Sequence, residues 1–428
     1  MKKFLSITAG LLVLTGCDKD PVVVEEDLQQ NRAPKDFALI SPAMGAQTDV
    51  LDIVFEWEPA VDPDGDGVTY DLYVSRNNSP VRIAENLKQP SYIWKGRNNF
   101  NTAFRWYVVA KDGTIKGQTN SVKRDFTTRN LQLKHILSDG SHSSFPERSA
   151  YTGMYFNRNF YIISGYEEGS RGDVWASRDY GRTWGLKNDF SGTRFERYAH
   201  SGVIFHNRMY IIGGHRNQQP LGDIYASADA TNWTRMQYTE LRSRYDHSSV
   251  VFNDKIWVIG GYDNELYIDD VRSWTGLAQD SWELVASAVS TPFNGIRGHS
   301  SVVFDDKMWV IGGMERTGYV NNVWVTTNGR SWTQARDLPV MSAYHKSVVF
   351  DDKIWVIGGL TEAGPSNTMY YYEKDSGWNR YELPAGTSLR ALYNHEIVVV
   401  DEGGPDDGIY IFGSFDGSDY FNDVWKLY

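Results

Sequence analysis

The chain has 428 residues, enough for two or three domains. Its formal net charge of −11 argues against a general binder of nucleic acid or of anionic membrane surfaces. A single cysteine excludes an internal disulfide framework, and a 14% aromatic content with little helical patterning points to an all-β protein.

The N-terminus, MKKFLSITAGLLVLTGC, places Lys2 and Lys3 before an apolar run from Phe4 to Leu14 and ends in Leu14-Thr15-Gly16-Cys17. It resembles a bacterial lipoprotein signal with its lipobox, which implies removal of residues 1–16 and lipid attachment to Cys17. The apolar run is too short to span a bilayer. The expected address is therefore the bacterial cell envelope, with the chain lipid-anchored. Asp18 would favour inner-membrane retention in enterobacteria, but Lys19-Asp20 and Glu25-Glu26-Asp27 look more like the tethers of Bacteroidetes surface lipoproteins, so the outer membrane is expected. Residues 17–33 are polar and acidic, lack a helical period and precede Pro34, as a flexible tether would.

Residues 34–129 read as a separate β-sandwich. Val50–Trp57 and Val68–Val74 are strand-like, and Phe104–Ala110 alternates strongly. With Trp57, Tyr70, Leu72, the FRWYVVAKDG run and a closing Phe126-Thr127-Thr128, the segment resembles an Ig-like fibronectin type III domain, which beside an anchor implies a spacer. Within it, Asp62, Asp64 and Asp66 alternate ahead of Gly67 like the first half of a calcium loop, because a hard cation needs several oxygens converging on a tight turn. The closing bidentate acid is missing, since Tyr73 stands there, and the plainer reading is an Asp/Gly-rich turn. No other metal and no cofactor is expected.

Residues 130–428 are organised by repetition. His299–Gly313 reads HSSVVFDDKMWVIGG; His247–Gly261 and His345–Gly359 are near copies, and His200–Gly214 and Tyr151–Gly165 are looser ones. A sixth, begun at His395, carries the insertion DEGGPDDG and ends at Gly413. Two short apolar runs around a polar turn make each copy a β-hairpin. Apolar residues on both strand faces require sheets stacked on neighbouring sheets. A third strand follows (Asp173-Val174-Trp175, Asp223-Ile224-Tyr225, Asp270-Val271, Asn322-Val323-Trp324, Asp423-Val424-Trp425), then a fourth carrying Trp184, Trp233, Trp282, Trp332 or Trp378. Gly-Gly, an aromatic third strand and a Trp at fixed offset resemble the Kelch repeat, and six copies imply an all-β, six-bladed Kelch-type β-propeller. The last copy stops after its third strand. Residues 131–137 (LQLKHIL) alternate without a partner, and are expected to complete the last blade and close the ring.

In such a propeller the variable loops after Gly-Gly share a face with the blade-to-blade connections, and that face is the expected binding surface. Arg148, Arg197, Tyr198, Arg244, Tyr245, Arg297, Tyr344, Arg390 and Tyr393 cluster where first strands begin. They are expected to ring the channel mouth, where guanidiniums grip carboxylates and phenols stack on sugar or peptide faces. The plainer alternative is that the arginines bond buried carbonyls of the fold. His200, His247, His299, His345 and His395 hold one repeat position and would spread round a ring instead of converging on a metal. Ser177, Asp179, Gly181, Thr183 and Trp184 resemble the Asp-box of sialidases, a self-bonded turn that serves the fold.

Three enzymatic readings arise. Copper oxidation like that of galactose oxidase needs a Tyr–Cys crosslink, and Cys17 is the only cysteine. A sialidase-like site lacks the expected FRIP-type motif, of which Phe145-Pro146-Glu147-Arg148 is a scrambled echo. An epimerase or mutarotase resembling the six-bladed Kelch N-acetylneuraminate epimerases would need only an acid and a base, such as Glu147, Glu196 and His215. No nucleophile, base and orienting group converge, so the expectation is a non-catalytic, monomeric binding module. Its expected partner is a glycan or an envelope protein.

Overall fold

The computed structural model describes residues 31–76, 78–97, 99–114, 117–237, 241–277, 280–287, 290–374 and 376–428. The signal segment, Cys17 and the tether before Asn31 lie outside them. Every regular element among the described residues is a β-strand, and no helix there is long and apolar enough to cross a membrane. The chain falls into two compact units. One holds Phe55–Tyr92 and Arg105–Arg124 with the residues up to Ala43, and the other holds Met44–Val54, Ile93–Phe104 and Asp125–Tyr428.

In the smaller unit, Thr69–Arg76 pairs with Ser79–Leu87 on one side and with residues 105–111 on the other. Residues 55–57 belong to a second sheet, with Phe55 and Trp57 buried and Glu56 exposed between them. The two sheets meet through rings: Phe55 lies 5.0 Å from Trp106, and Trp57 lies 5.5 Å from Tyr70. Period-two alternation thus yields a face-to-face β packing. The three aspartates considered for calcium do not converge. Asp62 accepts the amides of Asp64 (2.8 Å) and Asp66 (3.1 Å), while Asp64 is gripped by the Arg32 guanidinium at 2.6 Å. No group of three or more His, Cys, Asp or Glu among the described residues could hold a metal ion. The segment is an Asx-bonded turn.

The larger unit contains, among the described residues, six four-stranded antiparallel sheets. Their first strands are Thr152–Phe156, Ser201–Phe205, Ser248–Phe252, Ser300–Phe304, Lys346–Phe350 and Glu396–Val400. Each lies beside the first strands of the blades before and after, and Glu396–Val400 returns to Thr152–Phe156. The ring closes as a six-bladed β-propeller. Hairpin turns such as Asn253-Asp254 and Asp305-Asp306 have positive φ at both residues, the primed turn that Asn and Asp tolerate best. Second strands bury both faces: Met308 and Val310 pack with Trp257 of blade 3, while Trp309 and Ile311 pack with Ile354 and Val356 of blade 5. In the sixth blade, Leu133–Leu137 pairs antiparallel with Val424–Leu427, setting Leu133 against Leu427 and His135 against Trp425.

The paired glycines have a blade-to-blade cause. At Gly260 (φ +60°) a Cβ would stand 2.4 Å from the Ile296 carbonyl and 3.0 Å from His299 Cε1 of the next blade. At Gly261 it would meet His247 Cβ of its own blade at 3.0 Å. The first glycine admits the neighbour's histidine and the second its own. Gly260→Ala combines left-handed strain of about 1–2 kcal/mol with overpacking of about 1–3 kcal/mol. A drop of about 2–5 kcal/mol in urea unfolding free energy is therefore expected; a change below about 1 kcal/mol would refute this packing account.

Candidate functional site

The residue before each repeat histidine governs the channel. Ala150, Ala199, Asp246, Gly298, Tyr344 and Asn394 all have φ between 51° and 61°. Their amides and carbonyls bond in a circle. Ala199 donates to Ala150 (2.7 Å), Asp246 to Ala199 (2.9 Å), Gly298 to Asp246 (2.9 Å), Tyr344 to Gly298 (2.6 Å), Asn394 to Tyr344 (3.1 Å) and Ala150 to Asn394 (2.9 Å). The left-handed turn lets each backbone reach the next blade while its side chain meets the channel.

The histidines lie one residue further on and are buried. His247 Nε2 pairs with Ser201 Oγ and His299 Nε2 with Ser248 Oγ, both at 2.8 Å, while His345 Nε2 bonds the Ile311 carbonyl at 3.1 Å. Burial pushes His299 down to about 3 and His345 to about 4, and holds His200, His247 and His395 well below the usual value. The ring is neutral and structural. Tyr151, in their place in blade 1, donates its hydroxyl to the Gly413 carbonyl.

Three of the arginines expected at the mouth are sealed inside the blades. Arg148 grips Asp173 through two bonds (2.6 and 2.7 Å) and donates to the carbonyls of Pro146 and Ser164. Arg197 binds Asp223 and the carbonyls of Phe195, Gly213 and Arg194; Arg244 binds Asp270 and those of Arg242 and Gly260. All three are 0% exposed, and their donors serve the fold. Burial raises Asp173 and Asp270, but the facing guanidiniums outweigh it and hold both below the carboxylate norm. Arg390 is exposed, pairs with Asp139 at 3.4 Å and covers Phe421, away from the mouth cavity.

The tyrosines do converge. The residue two before each histidine bridges the one after Gly-Gly: Ser149 with Tyr166, Tyr198 with His215, Tyr245 with Tyr262, Arg297 with Met314, Ala343 with Leu360, and Tyr393 with Phe415. This register builds an aromatic collar. Ring centroids run from Tyr420 to Tyr166 (6.5 Å), to Tyr198 (4.9 Å), to His215 (5.1 Å), to Tyr245 (4.7 Å) and to Tyr262 (5.6 Å). From Tyr420 the other way lie Phe415 (4.7 Å), Tyr393 (5.6 Å) and Tyr344 (6.4 Å). Arg297 covers Tyr262 (4.7 Å) and Tyr267 (5.3 Å). Of the expected site residues, Tyr198, Tyr245, Tyr344 and Tyr393 line one cavity of about 370 Å³ at the mouth.

Asp246 stands at the floor of that cavity, its carboxylate accepting the Tyr344 hydroxyl at 3.3 Å. Burial pushes it up to about 6, against the pull of Arg297. Sequence reasoning missed Asp246 and Asn394; their signal was a position before each histidine that varies while its neighbours repeat. It also missed Lys346 and Glu396, an ion pair in the deeper channel where other blades carry Thr152, Ser201, Ser248 and Ser300.

The residues weighed for acid–base chemistry are dispersed. Glu196 pairs with Arg216 at 3.3 Å, and Glu147 is raised by burial, but neither lines the mouth cavity. His215 is wedged into the collar and lowered by burial. The Asp-box-like turn is self-bonded: Asp179 accepts the Thr183 amide (2.9 Å) and hydroxyl (2.7 Å), and Trp184 reaches Phe412 of the neighbouring blade.

Residues 113–313 and 277–428 match the family model described as the KLHDC2/KLHL20/DRC7 Kelch-repeats domain, and together they cover more than half of the chain. The chain belongs to this Kelch-repeat family. No curated protein matches it. Kelch repeats generally mediate protein interactions and suggest a protein-binding module.

Proposed function

We propose that the protein is a lipid-anchored envelope protein whose propeller is a non-catalytic binding module, taking a protein ligand at the channel mouth. The aromatic cavity of about 370 Å³ carries this reading, because half-buried tyrosines offer large contact area at low entropic cost. The anchor rests on Leu14-Thr15-Gly16-Cys17, and the fibronectin-like segment serves as a spacer. Flat tyrosine faces also suit a sugar, which makes a glycan the second reading. The alternative of a sialidase- or epimerase-like enzyme would place an acid and a base against one ligand in this cavity.

The test compares wild type with Tyr198→Ala/Tyr245→Ala in binding native envelope proteins and a panel of sialic acids, uronic acids and neutral oligosaccharides. Saturable protein binding lost in the variant supports the reading. Sugar binding with anomeric or epimeric exchange by NMR would replace it with the enzyme, and sugar binding without exchange with the glycan receptor. Cys17→Ser is expected to move the protein from the membrane to the soluble fraction, and unchanged membrane association would overturn the anchor.

A further inference from the structure

The chemistry of the mouth cavity narrows its ligand. Tyr166, Tyr198, Tyr245, Tyr393, Phe415 and Tyr420 line its wall, and their faces carry the negative side of the ring quadrupole. Among the described residues the floor holds Asn394 and one carboxylate, Asp246, and no lysine or arginine lines the cavity. Arg297, the nearest mouth cation, is spent on the faces of Tyr262 and Tyr267, and among the described residues no cation forms an ion pair with Asp246. Tyr344 reaches Asp246 across Gly298, where a Cβ would stand 2.9 Å from its ring, so blade 4 needs glycine for the carboxylate to be held from blade 5.

Resting on the binding-module reading, we propose that the mouth is an aromatic cage for a cation: the ammonium of a lysine side chain presented by a protein partner, seated between the tyrosine faces above Asp246. Such cages attract ammonium through the ring quadrupoles, and a carboxylate beneath adds a charge-assisted bond. Burial raises the Asp246 carboxyl, against the pull of Arg297, the Tyr344 hydroxyl and, deeper, Lys346. The chain's net charge of −11 further favours a basic partner at long range.

The experiment titrates the full chain with N-acetyl-lysinamide and a lysine-bearing peptide, using the Nζ-acetylated forms as neutral controls, and follows tyrosine ring resonances by NMR at pH 7.5. Saturable shifts confined to the mouth tyrosines are expected, with acetylation weakening binding about tenfold or more. Asp246→Asn should do the same without lowering the melting temperature, since asparagine already occupies this position in blade 6 as Asn394. Equal binding of the acetylated probe, or undiminished binding by Asp246→Asn, overturns the cage. Preference for an acidic or neutral sugar over the ammonium probes overturns it as well. If a native partner binds wild type and Asp246→Asn alike but fails on Tyr198→Ala/Tyr245→Ala, the cage falls and the binding-module reading stands.

Discussion

Acidification from pH 7.5 to pH 5 is expected to destabilise the propeller steeply, well above the range where ordinary carboxylates titrate. Five histidines sit buried in one ring round the channel, and burial lowers the pKa of each. In the unfolded chain each titrates near its usual value of about 6.5. A group whose folded pKa is depressed leaves the unfolded state binding more protons between the two values. The stability it contributes is therefore complete above about pH 6.5 and is lost as pH falls towards the folded pKa, about 3 for His299 and about 4 for His345. Within that window each histidine costs about 1.4 kcal/mol per pH unit. Asp246, raised to about 6, and Glu396, also raised by burial, work the other way and gain stability as pH falls. Glu147, Glu315 and Asp423 are raised by burial as well, and His215 is lowered as a sixth imidazole, so the carboxylates offset part of what the histidines lose. Urea midpoints at pH 7.5, 6 and 5 should fall progressively, and His299→Gln should remove about one proton from the slope. A flat profile over that range would mean that the ring is already charged or water-filled.

Arg148→Ala is expected to cost about 3–5 kcal/mol, because it strands a buried carboxylate. Among the described residues Asp173 then keeps the Trp175 indole N–H at 2.8 Å and the more distant charge of Arg171, and the carbonyls of Pro146 and Ser164 lose their donor. The compensating change can be read from the repeats. Blade 4 carries Ile296 where blade 1 has Arg148, and Asn322 where blade 1 has Asp173. The double substitution Arg148→Ile/Asp173→Asn should therefore recover much of the loss, since removing both partners is far cheaper than removing one. Chemical denaturation of wild type, single and double variants measures this directly. If Arg148→Ala were as stable as wild type but lost a ligand, the arginine would belong to the binding surface after all.

These arginines also show where sequence reading stopped. Hairpins, Gly-Gly turns and the six-fold repeat were legible because strand periodicity and turn chemistry are local. The facing of Arg148, Arg197 and Arg244 was not. Neighbouring residues of an extended segment face opposite ways, so the arginine three before the histidine and the mouth residue two before it cannot both face the mouth. Arg is thereby swung into the blade against Asp173, Asp223 or Asp270. A visible clue existed: Arg and Asp recur together in blades 1 to 3 at nearly constant separation, and Asn322 replaces Asp in blade 4, where Arg is absent. Tyr198, Tyr245 and Tyr393 were found because their position repeats, whereas Asp246 was hidden at a position that varies as Ala, Asp, Gly, Tyr and Asn.

The pairing of Leu133–Leu137 with Val424–Leu427 also sets a schedule for folding. The strand emerges first and its partner last, with roughly 290 residues between them. At about 5–20 residues per second of synthesis, the finished half of that pair waits about 15–60 s for its mate. Until both strands are present the circle cannot shut, and an unpaired strand end stands available to any other chain. Ring closure thus waits on the strand that lies furthest from its partner along the propeller sequence, and the open rim is the state most exposed to wrong pairing.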